Sequence, residues 1–185
     1  THLTMWAETD EGLVNLMKAS TDANLEGRVM RYPRMDKEIL SKYSKGIIAS
    51  SGCPSGIIQT RLLLGQFDEA LRAAGELQDI FGRDNFYIEF MDHGLNIERQ
   101  VTDGLLDIAK KLNAPLLATN DSHYVRAEDA GAQDAMLCIN SGSTLDEPGR
   151  FKFDGTGYYL KSAEEMRELF KDLPEACDNT CLLYT

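Results

Sequence analysis

Three short apolar runs, each leading into a helical pattern, constrain the fold of this chain more than any other feature. They lie at about residues 47–51, 86–91 and 115–119. Apolar runs of this length, bounded by glycine or polar residues, are typical of buried strands. Strands that alternate with helices predict parallel β/α units, and in barrels of this class the functional groups lie on loops at the strand C-termini.

The remaining pattern predicts one further strand and several helices. The strand is expected at residues 2–7, and Asp22 to Pro33 is expected to be a loop. Two helices are expected to bury specific stripes, Leu13, Leu16 and Met17 in the first, and Ala132, Ala135, Met136 and Ile139 in a later one. Helices are predicted at about residues 8–20, 36–43, 56–64, 67–81, 101–112 and 127–139. A last helix is predicted to begin at Ser162, where Glu165 completes a capping box. Extended segments are predicted at 151–153 and 157–160.

Length and residue content indicate one soluble domain. With 185 residues, 43% of them hydrophobic, the chain is long enough for one sizeable core. No apolar run approaches the roughly 20 residues that cross a bilayer, and the N-terminus lacks the charged start of a signal peptide. We therefore expect a cytoplasmic protein without membrane partners. The four cysteines form no C-x-x-C pair, which favours reduced thiols over a disulfide framework.

The charge of the chain excludes some functions. A formal net charge of −11 argues against broad, non-specific binding of nucleic acid by this chain alone. It does not exclude a phosphate substrate, because bound cations invert the local field in a cluster of carboxylates and imidazoles. The sequence contains neither a glycine-rich phosphate loop of the P-loop type nor a G-x-S-x-G elbow, so P-loop and serine-nucleophile chemistry are unsupported.

Candidate metal ligands follow two of the predicted strands. Asp121 and His123 lie just after the third apolar run, and alternate side chains of an extended segment point the same way. An oxygen and a nitrogen donor presented together suit a cation such as zinc or manganese. Cys53 follows the first run and would reach the same rim. Purely structural roles stay open for all three residues. Asp121 could cap a turn, His123 could be solvated or packed, and Cys53 could be a small apolar side chain that packs in the turn.

Two further histidines are less easily placed. His93 also follows a strand, where it suits a turn residue or a substrate contact as well as a ligand. His2 lies at the very start of its predicted strand, which would place it at the wrong end of a parallel strand unless that strand begins earlier.

The chain resembles the later part of the PHP (polymerase and histidinol phosphatase) domain of the bacterial DNA polymerase III α subunit, with the actinobacterial type most similar. The resemblance runs from His2 to about Thr180. It is carried by collinear stretches that begin at His2, Gly46, Phe86, Ala118, Asp134, Arg150 and Tyr158, among them Gly46-Ile-Ile-Ala-Ser-Ser-Gly-Cys-Pro-Ser-Gly56 and Ala118-Thr-Asn-Asp-Ser-His-Tyr124.

The resemblance implies a distorted seven-stranded β/α barrel, here a partial one that lacks its N-terminal strands, with up to three divalent metal ions at its rim. His2, Cys53, Asp121 and His123 match metal-ligand positions of the family, whereas His93 does not. The implied activity is metal-dependent 3′–5′ exonuclease proofreading within a DNA-directed DNA polymerase of DNA replication. The implied partners are the primer 3′ end and replisome subunits such as the sliding clamp. Free-standing phosphoesterases of the same superfamily fit the residues around these motifs less well.

Both ends of the chain carry expectations. The H-x-H motif and the further ligands with which the family's domain begins are not in this sequence, so we expect the chain alone to have little or no activity. Residues 1–180 are assigned to the PHP domain, and 181–185 resemble a translated sequencing adapter rather than native sequence. A second functional interpretation is a silent structural platform that docks a separate exonuclease. Retention of His2, Cys53, Asp121 and His123 favours the metal-dependent enzyme.

Overall fold

Helices and short strands alternate along the chain, and the computed structural model describes residues 1–30 and 32–183. In chain order the elements of these residues are β1 (Thr4–Ala7), α1 (Asp10–Leu25), β2 (Arg28–Val29), β3 (Tyr32–Pro33), α2 (Lys37–Lys42), β4 (Ile47–Ser50), α3 (Ile57–Leu63), α4 (Phe67–Phe81), β5 (Phe86–Phe90), α5 (Asn96–Leu112), β6 (Leu116–Ala118), a 3₁₀ turn (Ala127–Asp129), α6 (Ala130–Ser141), α7 (Ala163–Leu169) and α8 (Pro174–Leu182).

The three apolar runs form adjacent strands of one sheet, as predicted. The strand order is β1-β4-β5-β6, and β4, β5 and β6 run parallel, with Ala49 opposite Phe86 and Ile88 opposite Leu116. β2 and β3 form a separate antiparallel pair. The predicted α/β class with a parallel sheet is therefore confirmed, while closure into a seven-stranded barrel stays a prediction.

The first strand runs against the direction that β/α alternation predicted. β1 pairs antiparallel with β4, with Thr4 opposite Ser50 and Ala7 opposite Ile47. The connection through α1, the β2–β3 hairpin and α2 returns the chain to the end of the sheet from which β1 leaves, since Ala7 at the end of β1 lies opposite Ile47 at the start of β4. The antiparallel pairing places the start of β1 beside the carboxyl end of β4. His2 therefore lies at the same edge of the sheet as the other candidate ligands, rather than at the opposite edge that a parallel β1 would imply.

One face of the sheet carries the main core. Its apolar side chains pack against α3, α4 and α5, and Phe86, Ile88 and Ile108 are wholly buried. The opposite face buries a smaller cluster, Ile48, Tyr87 and Leu117, with Trp6 packed against it. Because successive strand residues face opposite sides, Ser50 and Glu89 lie on this second face, near the carboxyl ends of their strands.

Helix α1 buries a different stripe from the predicted one. Its buried residues are Gly12, Asn15, Ala19 and Ala23, whereas Leu13 and Met17 are 47% and 59% exposed. The helix approaches the turn before β4 so closely that a Cβ at Gly12 would lie 1.7 Å from the carbonyl oxygen of Gly46. Small residues must therefore face inwards. The predicted loop from Asp22 is also wrong, since α1 continues to Leu25 and β2 and β3 follow.

The second half of the chain contains further corrections. In α6 only Cys138 is buried among the described residues, and Ala132, Met136 and Ile139 are exposed, contrary to the predicted stripe. The segments at 151–153 and 157–160 form no regular strand pair; a single bridge joins Tyr159 to Tyr124. The capping box of Ser162 and Glu165 is confirmed at the start of α7.

The end of the chain, membrane spans and cysteines were also the subject of predictions. Cys181 and Leu182 end α8, and residues 184–185 of the predicted foreign tail lie outside the described residues. Across the described part of the chain, no helix is both long and apolar enough to span a membrane. Cys53, Cys138 and Cys177 carry unoxidised thiols, as predicted.

Candidate metal centre

The carboxyl ends of the parallel strands define one edge of the sheet, and the candidate ligands lie along it. Cys53 follows β4, His93 follows β5, and Asp121 and His123 follow β6. His2 reaches the same edge because β1 runs in the opposite direction. Parallel strands bring the loops at their carboxyl ends together, which is why residues far apart in sequence meet here.

His2 and Cys53 form the first ligand pair. His2 Nδ1 lies 3.2 Å from Cys53 Sγ. One parallel β-bridge between His2 and Gly56 holds the pair, and in it the His2 amide donates to the carbonyl of Ser55 at 3.3 Å. Ligands at about 2.0 and 2.3 Å from a tetrahedral zinc would lie about 3.5 Å apart. The observed separation therefore suits two donors to a common cation.

Asp121 and His123 form the second pair, on the loop after β6. Asp121 has a φ of +45°, a left-handed conformation that aspartate tolerates better than most residues. His123 Nδ1 lies 2.6 Å from the Asp121 carbonyl oxygen and 3.9 Å from its Oδ1. Donation from Nδ1 to the carbonyl leaves Nε2 with its lone pair for a metal ion. Backbone carbonyls often orient ligating histidines in this way.

Glu89 is a buried carboxylate at this edge that sequence analysis missed. It lies on β5, is 3% exposed, and accepts hydrogen bonds from the Ser50 hydroxyl, the Thr119 hydroxyl at 2.5 Å and the Gly52 amide at 3.1 Å. Burial raises the pKa of Glu89, and the negative charge of Asp121 raises it further. A glutamate inside the run Phe86-Tyr-Ile-Glu-Phe90 was the available signal, since an acid in a buried strand requires partners.

His93 forms a buried pair with Glu98, which the sequence left unassigned. Its Nδ1 lies 2.6 Å from Glu98 Oε1 and its Nε2 lies 2.7 Å from the Asn120 carbonyl oxygen. Both ring nitrogens face acceptors, so the geometry favours the protonated ring, in which both nitrogens donate. Burial opposes that charge, but the hydrogen bonds to Glu98 and Asn120 outweigh it and raise the pKa of His93. The pair thus ties the loop after β5 to the loop that carries Asp121.

Aromatic rings connect His93 to His123. His93 stacks on Tyr158 with ring centroids 4.1 Å apart, Tyr158 stacks on Phe153 at 4.7 Å, and Phe153 contacts His123 at 4.5 Å. The His123 amide also donates to the Tyr158 carbonyl at 2.8 Å. The loop bearing Asp121 and His123 is therefore held both by the ring contact of His123 with Phe153 and by the backbone hydrogen bond to Tyr158.

The donors fit divalent cations as two separate pairs. Sulfur and imidazole in one pair, and carboxylate and imidazole in the other, are the ligand types that zinc and manganese accept. Within residues 1–30 and 32–183, however, the structure gathers no group of three or more histidine, cysteine or acidic side chains able to hold a metal. Each pair offers half of a coordination sphere or less. A complete site requires further donors.

This fold, with its donors at the carboxyl edge of a largely parallel sheet, agrees with comparison to known proteins. The family model described as "PHP domain" matches residues 1–93, and the chain belongs to this family. The chain is also similar to proteins named DNA polymerase III subunit alpha. The relative from Saccharopolyspora erythraea is 57% identical over 184 residues, and that from Mycobacterium tuberculosis is 55% identical over 184 residues; each alignment covers 99% of this chain.

The similarity extends to more distant bacteria. The protein of the same name from Borreliella burgdorferi is 42% identical over 179 residues, which is 97% of this chain. In each case the chain spans only a small part of the relative, 15% of the Saccharopolyspora protein and 16% of the Mycobacterium one. The predicted resemblance to the PHP domain of this subunit is thus confirmed.

Proposed function

We propose that the chain is part of the PHP domain of a bacterial replicative DNA polymerase, and that the domain removes nucleotides from a DNA 3′ end by metal-dependent phosphodiester hydrolysis. The observation that supports this proposal most directly is the contact between His2 and Cys53. It joins residues 51 positions apart at the carboxyl edge of the sheet, at a spacing suited to a common cation. Full-length relatives named as polymerase subunits support the parent protein.

In this proposal the chain's own residues hold and orient the reaction site. His2 and Cys53 bind one divalent ion, zinc or manganese, and Asp121 and His123 bind another or share it. Bound divalent ions would lower the pKa of a water molecule and neutralise charge on the phosphoryl oxygens. His123 offers Nε2 because its Nδ1 is held by the Asp121 carbonyl. Glu89 adds a buried negative charge behind the ligands when it is ionised.

The proposal also includes the rest of the polymerase, because the chain is similar to only a small part of its relatives. The chain spans 15% of the Saccharopolyspora protein. We propose that a longer protein containing this chain has the polymerase activity and binds the primer 3′ end and the sliding clamp. We assign residues 1–180 to the PHP domain. We expect the separate chain to have little or no exonuclease activity, because its two ligand pairs are incomplete.

The test uses the full-length polymerase subunit that contains this sequence. Asp121→Asn combined with His123→Ala should abolish excision of a mismatched primer terminus and leave nucleotide incorporation largely intact. Asp92→Asn is the matched control, since Asp92 lies at the same edge and its side chain accepts only from the Gly94 amide among the bonds described, a role that asparagine can fill. Unchanged excision in the double variant would contradict the catalytic assignment. It would leave the structural platform as the function.

A further inference from the structure

A cleft lies beside the candidate metal centre, between α6 and the segment that follows Arg150. It has a volume of about 200 Å³ and is lined by side chains that include Tyr124, Gln133, Lys152 and Phe153, with Gly131 in its wall. This set is called the α6 cleft below. Pockets for drug-sized ligands start at roughly 300 Å³, so this one suits a smaller group.

The α6 cleft neighbours the candidate ligand His123. Tyr124 is the next residue in the chain, and the Phe153 ring, which lines the cleft, lies 4.5 Å from the His123 ring between centroids. A group in the cleft that contacts Phe153 would therefore be separated from His123 by this one ring. No residue of the cleft belongs to the ligand pair of Asp121 and His123 itself.

The walls of the α6 cleft are fixed by polar contacts. The Tyr124 hydroxyl donates to the Thr156 carbonyl at 2.7 Å, which fixes the ring. Arg150 binds Asp134 through both guanidinium nitrogens at 2.5 and 2.6 Å, which ties the segment bearing Phe153 to α6. The same bond neutralises Asp134, the acid in the cleft wall. Lys152 is then the positively charged side chain in the cleft wall.

The chemistry of the lining matches one nucleotide of a DNA strand. Aromatic side chains stack on nucleobases without regard to sequence, an amide such as that of Gln133 can hydrogen-bond a base edge, and an exposed lysine attracts a backbone phosphate. Lys152 is exposed and can supply this contact to a phosphate.

We propose that the α6 cleft binds the base of the nucleotide whose phosphodiester lies at Asp121 and His123. This inference rests on the proposed function and deepens it, because it names where the terminal base goes. The site recognises a base by stacking and shape rather than by sequence, so it would accept any of the four bases.

Substitutions at Gly131 can test whether the α6 cleft binds the base. A Cβ at this position would meet no atom within 4 Å, so the space beyond it is open. Gly131→Leu should fill the α6 cleft, whereas Gly131→Ala leaves most of it free and controls for the backbone change. Both substitutions favour the helix over glycine, so neither is expected to unfold α6.

The experiment measures single-turnover excision by the full-length subunit on primers that end in a normal or an abasic 3′ nucleotide. Stacking of one base corresponds to about ten-fold or more in affinity. The wild-type protein and Gly131→Ala should prefer the normal terminus by about ten-fold, and Gly131→Leu should lose this preference with the abasic rate unchanged. If Gly131→Leu kept the preference, or slowed both substrates equally, the proposal would be overturned.

A binding measurement separates this proposal from the proposed function. A short single strand ending in fluorescent 2-aminopurine is titrated into each protein in excess chelator, where hydrolysis is blocked. Binding elsewhere on the subunit is common to all three proteins. Weaker binding by Gly131→Leu than by Gly131→Ala, by about ten-fold, supports the α6 cleft even if no protein excises nucleotides. Equal affinities overturn it.

Discussion

The buried pair of His93 and Glu98 should contribute stability only within a defined pH window. The two side chains are 2% and 6% exposed, and Glu98 also accepts from the amides of His93 at 2.7 Å and Leu95 at 3.2 Å. Glu98→Gln keeps the shape but removes the charge, and an uncharged amide can serve the two backbone donors but not the imidazolium. Hydrogen bonds to charged groups are worth about 2 kcal/mol, and we expect a loss of that size.

The direction of the pH dependence follows from the two shifts. The pKa of His93 is raised above its ordinary 6.5, so its contribution is full below that value and is lost as the pH rises through the folded-state pKa. Burial raises the pKa of Glu98, but the bonds from His93 outweigh it and lower the pKa below 4.5, so its contribution is full above 4.5 and is lost as the pH falls through the folded-state pKa. The destabilisation by Glu98→Gln should therefore be largest between pH 4.5 and 6.5.

The assay is urea unfolding of the chain followed by the fluorescence of Trp6, its single tryptophan. Glu69→Gln is the control, because Glu69 is exposed and occupies in α4 the same third helical position that Glu98 occupies in α5. The control should cost about 0.5 kcal/mol through the helix dipole, with little dependence on pH in this window. Equal effects of the two variants at about pH 5.5, or a Glu98→Gln effect that grows towards about pH 9, would refute the buried charge pair.

Three further substitutions test packing and hydrogen bonding. Gly12→Ala should destabilise the chain by at least ~2 kcal/mol in urea unfolding, because its Cβ would lie 1.7 Å from the Gly46 carbonyl oxygen; a neutral effect would contradict this close approach. Arg150→Lys cannot make the bidentate bond to Asp134, so hydrogen exchange at the backbone amides of residues 150–153 should become faster. Unchanged exchange rates would contradict the conclusion that this bond holds the segment against α6. Glu89→Leu leaves three donors unsatisfied and should cost about 2–4 kcal/mol, whereas Glu89→Gln should cost less than about 1 kcal/mol, and equal losses would contradict the bonding described.

Sequence periodicity located the central strands because burial on both faces leaves a continuous apolar run. β4, β5 and β6 were predicted for this reason, and the positions of Cys53, Asp121 and His123 at one edge follow from their parallel arrangement. The direction of β1 was not predictable from its own residues, because it depends on the end of the sheet to which the connection returns the chain. Only the antiparallel pairing explains the contact between His2 and Cys53.

The errors concern which side of a helix faces inwards. In α1 the close approach of Gly12 to Gly46 turns the small residues inwards and leaves Leu13 exposed, although apolar spacing alone favoured the opposite orientation. Periodicity counts apolar side chains but contains no information about backbone distance. The position of Glu89 inside an apolar run indicated a buried acid but not its partners, because those come from the neighbouring strand ends at Ser50, Gly52 and Thr119.

The central claim is that the carboxyl edge of the sheet holds a divalent metal ion through His2 and Cys53. Anomalous X-ray diffraction from crystals of the full-length subunit, recorded at the zinc and manganese absorption edges, tests it most directly. We predict a peak about 2.3 Å from Cys53 Sγ and about 2.0 Å from a ring nitrogen of His2, lost in Cys53→Ser crystals. Full-length crystals grown with both metals and showing no anomalous peak within bonding distance of these two atoms would contradict the metal centre.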